Sequence, residues 1–136
     1  MPFKFEKLEV YQLSLAYIDL AYEIASGLPA NEEYNLKSQL KRAATSIALN
    51  IAEGSSGQTD VEQTRFIGYA IRSLLETVAC QQIIQRRNFF ADTSVFENSF
   101  KKAETLAAKL YAFRKAIDPE QRWVRETGSE YVTEDE

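Results

Sequence analysis

The groups in this chain that could do chemistry are its carboxylates, one thiol and a short glycine–serine run. Twenty Asp and Glu are present and no histidine, which removes the commonest general base and the commonest metal ligand. Carboxylate di-metal sites in helical bundles want Glu-x-x-His pairs projecting inward, a pattern this chain does not contain. Glu53 and Glu76 could meet across two helices, where an arginine–carboxylate pair is the simpler outcome. Gly54-Ser55-Ser56-Gly57 suggests a phosphate loop in composition only. No Lys-Ser/Thr follows its glycines, no strand pattern precedes it, and it joins two helical patterns. Its glycines read as a helix stop and a turn. Cys80 is the single cysteine, so no internal disulfide can form. It lies mid-helix among apolar residues and reads as a small core residue. The expectation is a protein that is not an enzyme, with no catalytic residue, no metal and no cofactor.

Binding chemistry is the remaining class, and the cations are its first candidates. Lys37, Lys41 and Arg42 fall in the second helical pattern, Arg65 and Arg72 in the third, and Arg86 and Arg87 at its end. Lys101, Lys102, Lys109, Arg114 and Lys115 follow in the fourth, then Arg122 and Arg125. Lys37, Lys41, Arg42, Arg72, Arg86 and Arg87 are the candidate nucleic-acid contacts. Lys101, Lys109 and Lys115 do not form one line, and a pI near 5.0 is unlike a dedicated, strongly basic binder. The net charge of −4 is uneven, however. Residues 126–136 hold five acids (Glu126, Glu130, Glu134, Asp135, Glu136) and no Lys or Arg, leaving 16 basic against 15 acidic residues elsewhere. This acidic tail reads either as a solvated terminus or as a segment that competes with nucleic acid for a basic patch.

Four helical patterns must position these groups, at about 6–26, 35–53, 60–87 and 94–117. At 136 residues with 45% hydrophobic content, the chain is one ordinary domain with a real core. The first pattern places Leu8, Tyr11, Leu15, Ile18, Tyr22 and Ala25 on one face and stops at Gly27 and Pro29. The third begins at Asp60, a good N-cap residue. The fourth opens at Ser94 with Glu97 at capping-box spacing. No segment alternates as a strand would. Four helices on short connections predict an all-α, antiparallel up-and-down four-helix bundle over 1–117, followed by the tail at 118–136. Apolar runs are too short for a membrane span, and Met1 to Leu8 carries no signal-peptide pattern. With the lone cysteine, that points to the cytoplasm and to no membrane partner.

The second helix carries two stripes. At about 100° per residue, Leu36, Leu40, Ala43, Ala44, Ile47 and Ile51 share one arc, the core stripe. Gln39, Arg42, Ser46, Asn50 and Glu53 share another, richer in small hydrogen-bonding groups than a solvated face. Lys37 and Lys41 read as simply solvated. The polar stripe is either a flank of satisfied groups or a seam against another helix or subunit. The third helix is apolar over a wide arc. Phe66, Ile67, Ala70, Leu74, Thr77 and Ile84 mark one face; Ile71, Leu75, Val78 and Phe89 lie beyond its edge, and Tyr69, Cys80 and Ile83 towards the other side. A helix so apolar is central in its bundle or covered by a partner chain, and self-association is favoured.

These motifs resemble one family. The run Glu33-Tyr34-Asn35-Leu36-Lys37-Ser38-Gln39-Leu40-Lys41-Arg42-Ala43-Ala44-Thr45-Ser46-Ile47, continuing to Asn50-Ile51-Ala52-Glu53-Gly54, is similar to the signature of the bacterial four-helix-bundle proteins related to the 23S-rRNA intervening-sequence protein. Phe5 to Tyr11 fits that family's first helix and Arg65 to Glu76 its third, so the likeness covers roughly 5–115. Two departures stand out. The family usually has Gly at Asn35, and it usually has Gly immediately before Ser73, where this chain has Arg72. The resemblance implies a homopentameric ring. One relative of that form binds nucleic acid and a reverse transcriptase, with a far more basic chain than this one.

The resulting expectation is a self-associating adaptor or scaffold linked to RNA or nucleoprotein, its partner being itself. Arg42, Ser46, Asn50, Glu53, Ser73 and Glu76 would be the polar fixings of the interface. The alternative is direct, sequence-nonspecific RNA or DNA binding by the summed charge of a symmetric ring.

Overall fold

The computed structural model describes residues 3–57 and 59–122. A short 3₁₀ turn at Lys4–Lys7 leads into α1 (Glu9–Ser26), and a second, at Ala30–Glu32, leads into α2 (Leu36–Ser55). Two long helices complete the fold, α3 (Asp60–Arg86) and α4 (Ser94–Ile117). Neighbours round the bundle are α1–α2, α2–α3, α3–α4 and α4–α1, the up-and-down arrangement that short connections impose. The acidic segment 126–136 and Arg125 lie outside the described residues.

The helix ends show which local chemistry won. Thr59, not Asp60, caps α3: its hydroxyl accepts from Glu62 N at 3.0 Å, satisfying one orphan donor of the first turn. At α4 the expected Ser94 cap is replaced by Asp92, whose carboxylate accepts from Ser94 N at 2.9 Å. That bond, with one to the Ser94 side chain, holds the Asp92 carboxyl below its ordinary pKa. The third helix ends where Asn88 adopts φ 57°, the left-handed conformation that stops a helix. The first helix starts later than its periodicity suggests, because the chain before Glu9 is wound as 3₁₀ and Leu8 is extended at ψ 128°.

Gly54 does more than stop a helix. It lies inside the last turn of α2, buried against α3, and a Cβ there would sit 2.9 Å from Phe66 Cβ and 3.3 Å from Gln63 O. Small residues on this side, Ala43 and Gly54, let α2 and α3 form the most extensive helix pair of the bundle.

The core has an apolar layer at each end and a polar layer between them. Val10, Ile47, Ile51, Ile67, Ile71, Leu74, Leu106 and Leu110 form one apolar cluster. Ala21, Ile24, Leu36, Leu40, Cys80, Ile84 and Phe96 form the other. Each fully buried Leu or Ile contributes about 1.5–3 kcal/mol. Between them, Ser99 Oγ donates to Gln81 Oε1 at 2.6 Å and Gln81 Nε2 donates to Tyr17 OH at 2.9 Å. Tyr17 OH then meets Thr77 Oγ1 at 2.8 Å, and Thr77 donates to Leu74 O at 2.6 Å. Because Thr77 spends its proton on Leu74, Tyr17 must donate to Thr77, and the chain of bonds runs one way. All four residues are buried.

The core stripe of α2 is as its periodicity predicts, all six residues being buried. The first helix is rotated from its expected register. Val10, Ser14, Tyr17, Ala21 and Ile24 face inward, while Leu15 and Tyr22 are 38% and 43% exposed. Two apolar stripes compete on α1, and the one that won contains Ser14, which satisfies itself by donating to Tyr11 O at 2.7 Å. On α3 the wide arc is mostly buried within the chain, leaving Leu75 44% and Ile83 51% exposed. The fold continues past Ile117: Asp118 is buried and accepts from Arg122 Nε at 3.0 Å.

Candidate functional site

The outer side of α2 presents two grooves that share Ser46. The first lies between α2 and α3, encloses about 460 Å³, and is lined by Ser46, Asn50, Tyr69, Arg72, Ser73 and Glu76. Residues at 46 and 50 are one turn apart on α2, as are 69, 72, 73 and 76 over two turns of α3, so both sets face one side. Ser73 Oγ donates to Ser46 Oγ at 2.9 Å and bridges the helices. Asn50 Nδ2 donates to Ser46 Oγ at 2.9 Å and to Ser46 O at 2.8 Å. The floor is thus a fixed polar lattice, half-buried rather than solvated.

Of the six residues expected on the polar seam, four (Ser46, Asn50, Ser73 and Glu76) gather in this groove. Glu53 is exposed beyond its edge. Arg42 turns away, its Nη2 donating to Ser38 Oγ at 2.9 Å, and lines the second groove instead. Arg72 is exposed and lines the α2–α3 groove, so its bulk does not hold the helices apart. Asn35 is not in the left-handed turn a glycine would suggest: its φ is −127°. Its side chain ties the turn together, donating to Glu32 Oε1 and accepting from Gln39 Nε2, each at 3.0 Å.

The second groove lies between α1 and α2 and encloses about 610 Å³. Its apolar surface comes from Tyr22, Tyr34 and Leu49, which are 43%, 96% and 63% exposed. Its cations are Lys37, Lys41 and Arg42. The two lysines are not simply solvated: Lys37 pairs with Glu33 at 3.0 Å, and Lys41 Nζ lies 5.2 Å from the centre of the Tyr22 ring. Periodicity alone concealed this groove because it placed Tyr22 in the core. The signal that could have revealed it is the spacing of Lys37, Lys41 and Leu49 on a line the core stripe leaves free.

Among the described residues, the other candidate cations line neither groove. Arg86 and Arg87 stand exposed at the end of α3. Arg114 is no surface cation at all: it is 2% exposed, its guanidinium 5.3 Å from the Tyr111 ring centre. Gly68 faces it without a side chain, a Cβ there standing 3.8 Å from Arg114 Nη1. Cys80 is buried as expected, and its Sγ donates to Leu36 O at 3.8 Å. Burial, with the nearby Glu76 charge, pushes its thiol up to about 11, so it is poorly nucleophilic at neutral pH. Among the described residues no three His, Cys, Asp or Glu gather as metal ligands. No helix there is long and apolar enough to cross a membrane.

Fold and grooves together define an all-α up-and-down bundle whose distinguishing surface is the outer face of α2. The model of the 23S rRNA-intervening sequence protein family matches residues 6–120. The chain belongs to that family, which is not known for catalysis and whose function is poorly defined. No curated protein matches the chain.

Proposed function

We propose that the protein is a non-enzymatic, self-associating adaptor or scaffold, with α2 and α3 supplying the contact between copies. The α2–α3 groove carries this reading. Its Ser46–Asn50–Ser73 lattice is fixed before any partner arrives, so docking a second copy orders few further side chains. Half-buried Tyr69 supplies apolar contact area in the same groove. Glu76 and Arg72 supply opposite charges at the rim, where charge sets orientation more than affinity. A ring of such copies, a pentamer by family resemblance, is the expected assembly in the cytoplasm.

The experiment is native mass spectrometry of the purified chain and of Ser73→Arg, which fills the groove. The wild type should appear as a multiple of 15.5 kDa, and Ser73→Arg should fall to the single-chain mass while retaining its helical circular dichroism. A wild type that stays a single chain at high concentration, or a Ser73→Arg protein of unchanged mass, overturns the proposal.

A second reading is favoured by the gathering of Lys37, Lys41 and Arg42 in one groove. Repeated around a ring, those charges would bind RNA or DNA without sequence preference, with an affinity that falls steeply as salt rises. Titration of a labelled oligonucleotide at low and high salt separates it from the scaffold reading.

A further inference from the structure

The α1–α2 groove combines three cations with an apolar floor, and one segment of this chain has the complementary composition. Residues 130–136, Glu-Tyr-Val-Thr-Glu-Asp-Glu, place an apolar pair between acids and end on three consecutive acids. We propose that this acidic segment docks in the α1–α2 groove of its own chain, covering Leu49 and Tyr22 and neutralising Lys37, Lys41 and Arg42.

The order of groups agrees along both partners. In the up-and-down topology α2 and α4 run the same way, so Arg122, the last described residue, lies at the end of the bundle where α2 finishes. A chain entering the groove from there meets Leu49 first, then Lys41 and Arg42, then Lys37. The segment presents Tyr131 and Val132 first, then Glu134, Asp135 and Glu136. Apolar groups thus meet the leucine, and carboxylates meet the cations.

The lengths agree as well. Leu49 to Lys37 is twelve residues of helix, about 18 Å at 1.5 Å per residue. Residues 130–136 cover about 20 Å when extended, at 3.3–3.6 Å per residue. The seven residues between Arg122 and Glu130 reach at most about 28 Å. That spans the way round a bundle whose helix axes lie about 10 Å apart. Glu33 is the single acid among the groove's lining residues, and it is already paired with Lys37. The groove therefore keeps a net positive charge for an acidic ligand. This inference does not rest on self-association, because a single chain holds both partners.

Zero-length carbodiimide coupling of the full chain tests it, with the linked peptides sequenced by mass spectrometry. The expected links join Lys37 or Lys41 to Glu134, Asp135 or Glu136, and they should fade in about 0.5 M salt, where screening is short-ranged. Coupling an equal mixture of ¹⁴N and ¹⁵N chains, unfolded and refolded together so that any assembly contains both, should give links within one isotope only. Mixed-isotope links would assign the groove to a second copy's tail and overturn docking within the chain. Tail links chiefly to Lys101, Lys102 or Lys115, or no tail links at all, would overturn the site. A Tyr34→Ala, Leu49→Ser double variant keeps both lysines and the groove's charge and should lose about tenfold in link yield, the scale of one lost leucine contact. An unchanged yield would mean that charge alone holds the segment and would overturn the seat in the groove.

Discussion

The hydroxyl of Tyr17 lies 2.8 Å from that of Thr77, sixty residues away in sequence, and donates to it at the middle of the bundle. The phenol accepts in turn from Gln81 at 2.9 Å, and burial holds its pKa above the ordinary value. One side chain of α1 is thereby keyed to two turns of α3 and, through Ser99, to α4. An apolar bundle could slide by a turn at little cost; this one would strand buried polar groups if it did.

Removing that key should be costly. Tyr17→Phe leaves Gln81 Nε2 without its acceptor and Thr77 without its donor, a loss of about 1–3 kcal/mol. Urea unfolding followed by circular dichroism measures it, and a change below about 0.5 kcal/mol would rule out a stabilising role for the network.

Gly54→Ala tests the close approach of α2 and α3. Helix propensity alone would make this change stabilising by up to about 1 kcal/mol. Yet the new methyl would stand 2.9 Å from Phe66 Cβ, and overpacking of this kind costs about 1–3 kcal/mol. The expected result is a net loss of stability; a higher melting temperature would show that the helices part freely.

Glu53→Ala separates the chain from its assembly. Glu53 is exposed on the described surface, so folding stability should change by less than about 1 kcal/mol. A larger loss, appearing only at protein concentrations where copies associate, would place Glu53 in the contact between chains. Equilibrium unfolding at several concentrations distinguishes the two outcomes.

Cys80 gives a dependence on pH. Its thiol titrates near 11 in the folded chain against an ordinary value of 9.0, so the folded state binds the proton more tightly. Its contribution to stability is complete below pH 9 and is lost as pH rises from 9 towards 11. Wild type should lose stability faster than Cys80→Ala across that window. Iodoacetamide should label Cys80 in urea and scarcely at all in the native chain at pH 8. Equal labelling in both states would contradict the burial.

Local chemistry alone made much of this protein legible. The periodicity of Leu36, Leu40, Ala43, Ala44, Ile47 and Ile51 names the buried face of α2 because a helix fixes the angle between successive side chains. The polar stripe beside it holds Ser46 and Asn50 for the same reason, and their meeting with Ser73 and Glu76 follows from laying α3 antiparallel to α2. Absence of histidine likewise limits the chemistry before any coordinate is known.

Tertiary packing decided what periodicity leaves equal. Periodicity points Leu15 and Tyr22 inward on α1, but the fit of Tyr17 beside Thr77 and Gln81 turned the stripe through Val10, Tyr17 and Ile24 inward instead, leaving Tyr22 to lie under Lys41. Arg114 reads as a surface cation in sequence, but the space opposite Gly68 let the bundle take it in. The four helices were thus determined by the sequence, since patterning and short connections act locally. Which face of each helix is buried, and hence the two grooves on α2, was decided by contacts between residues tens of positions apart.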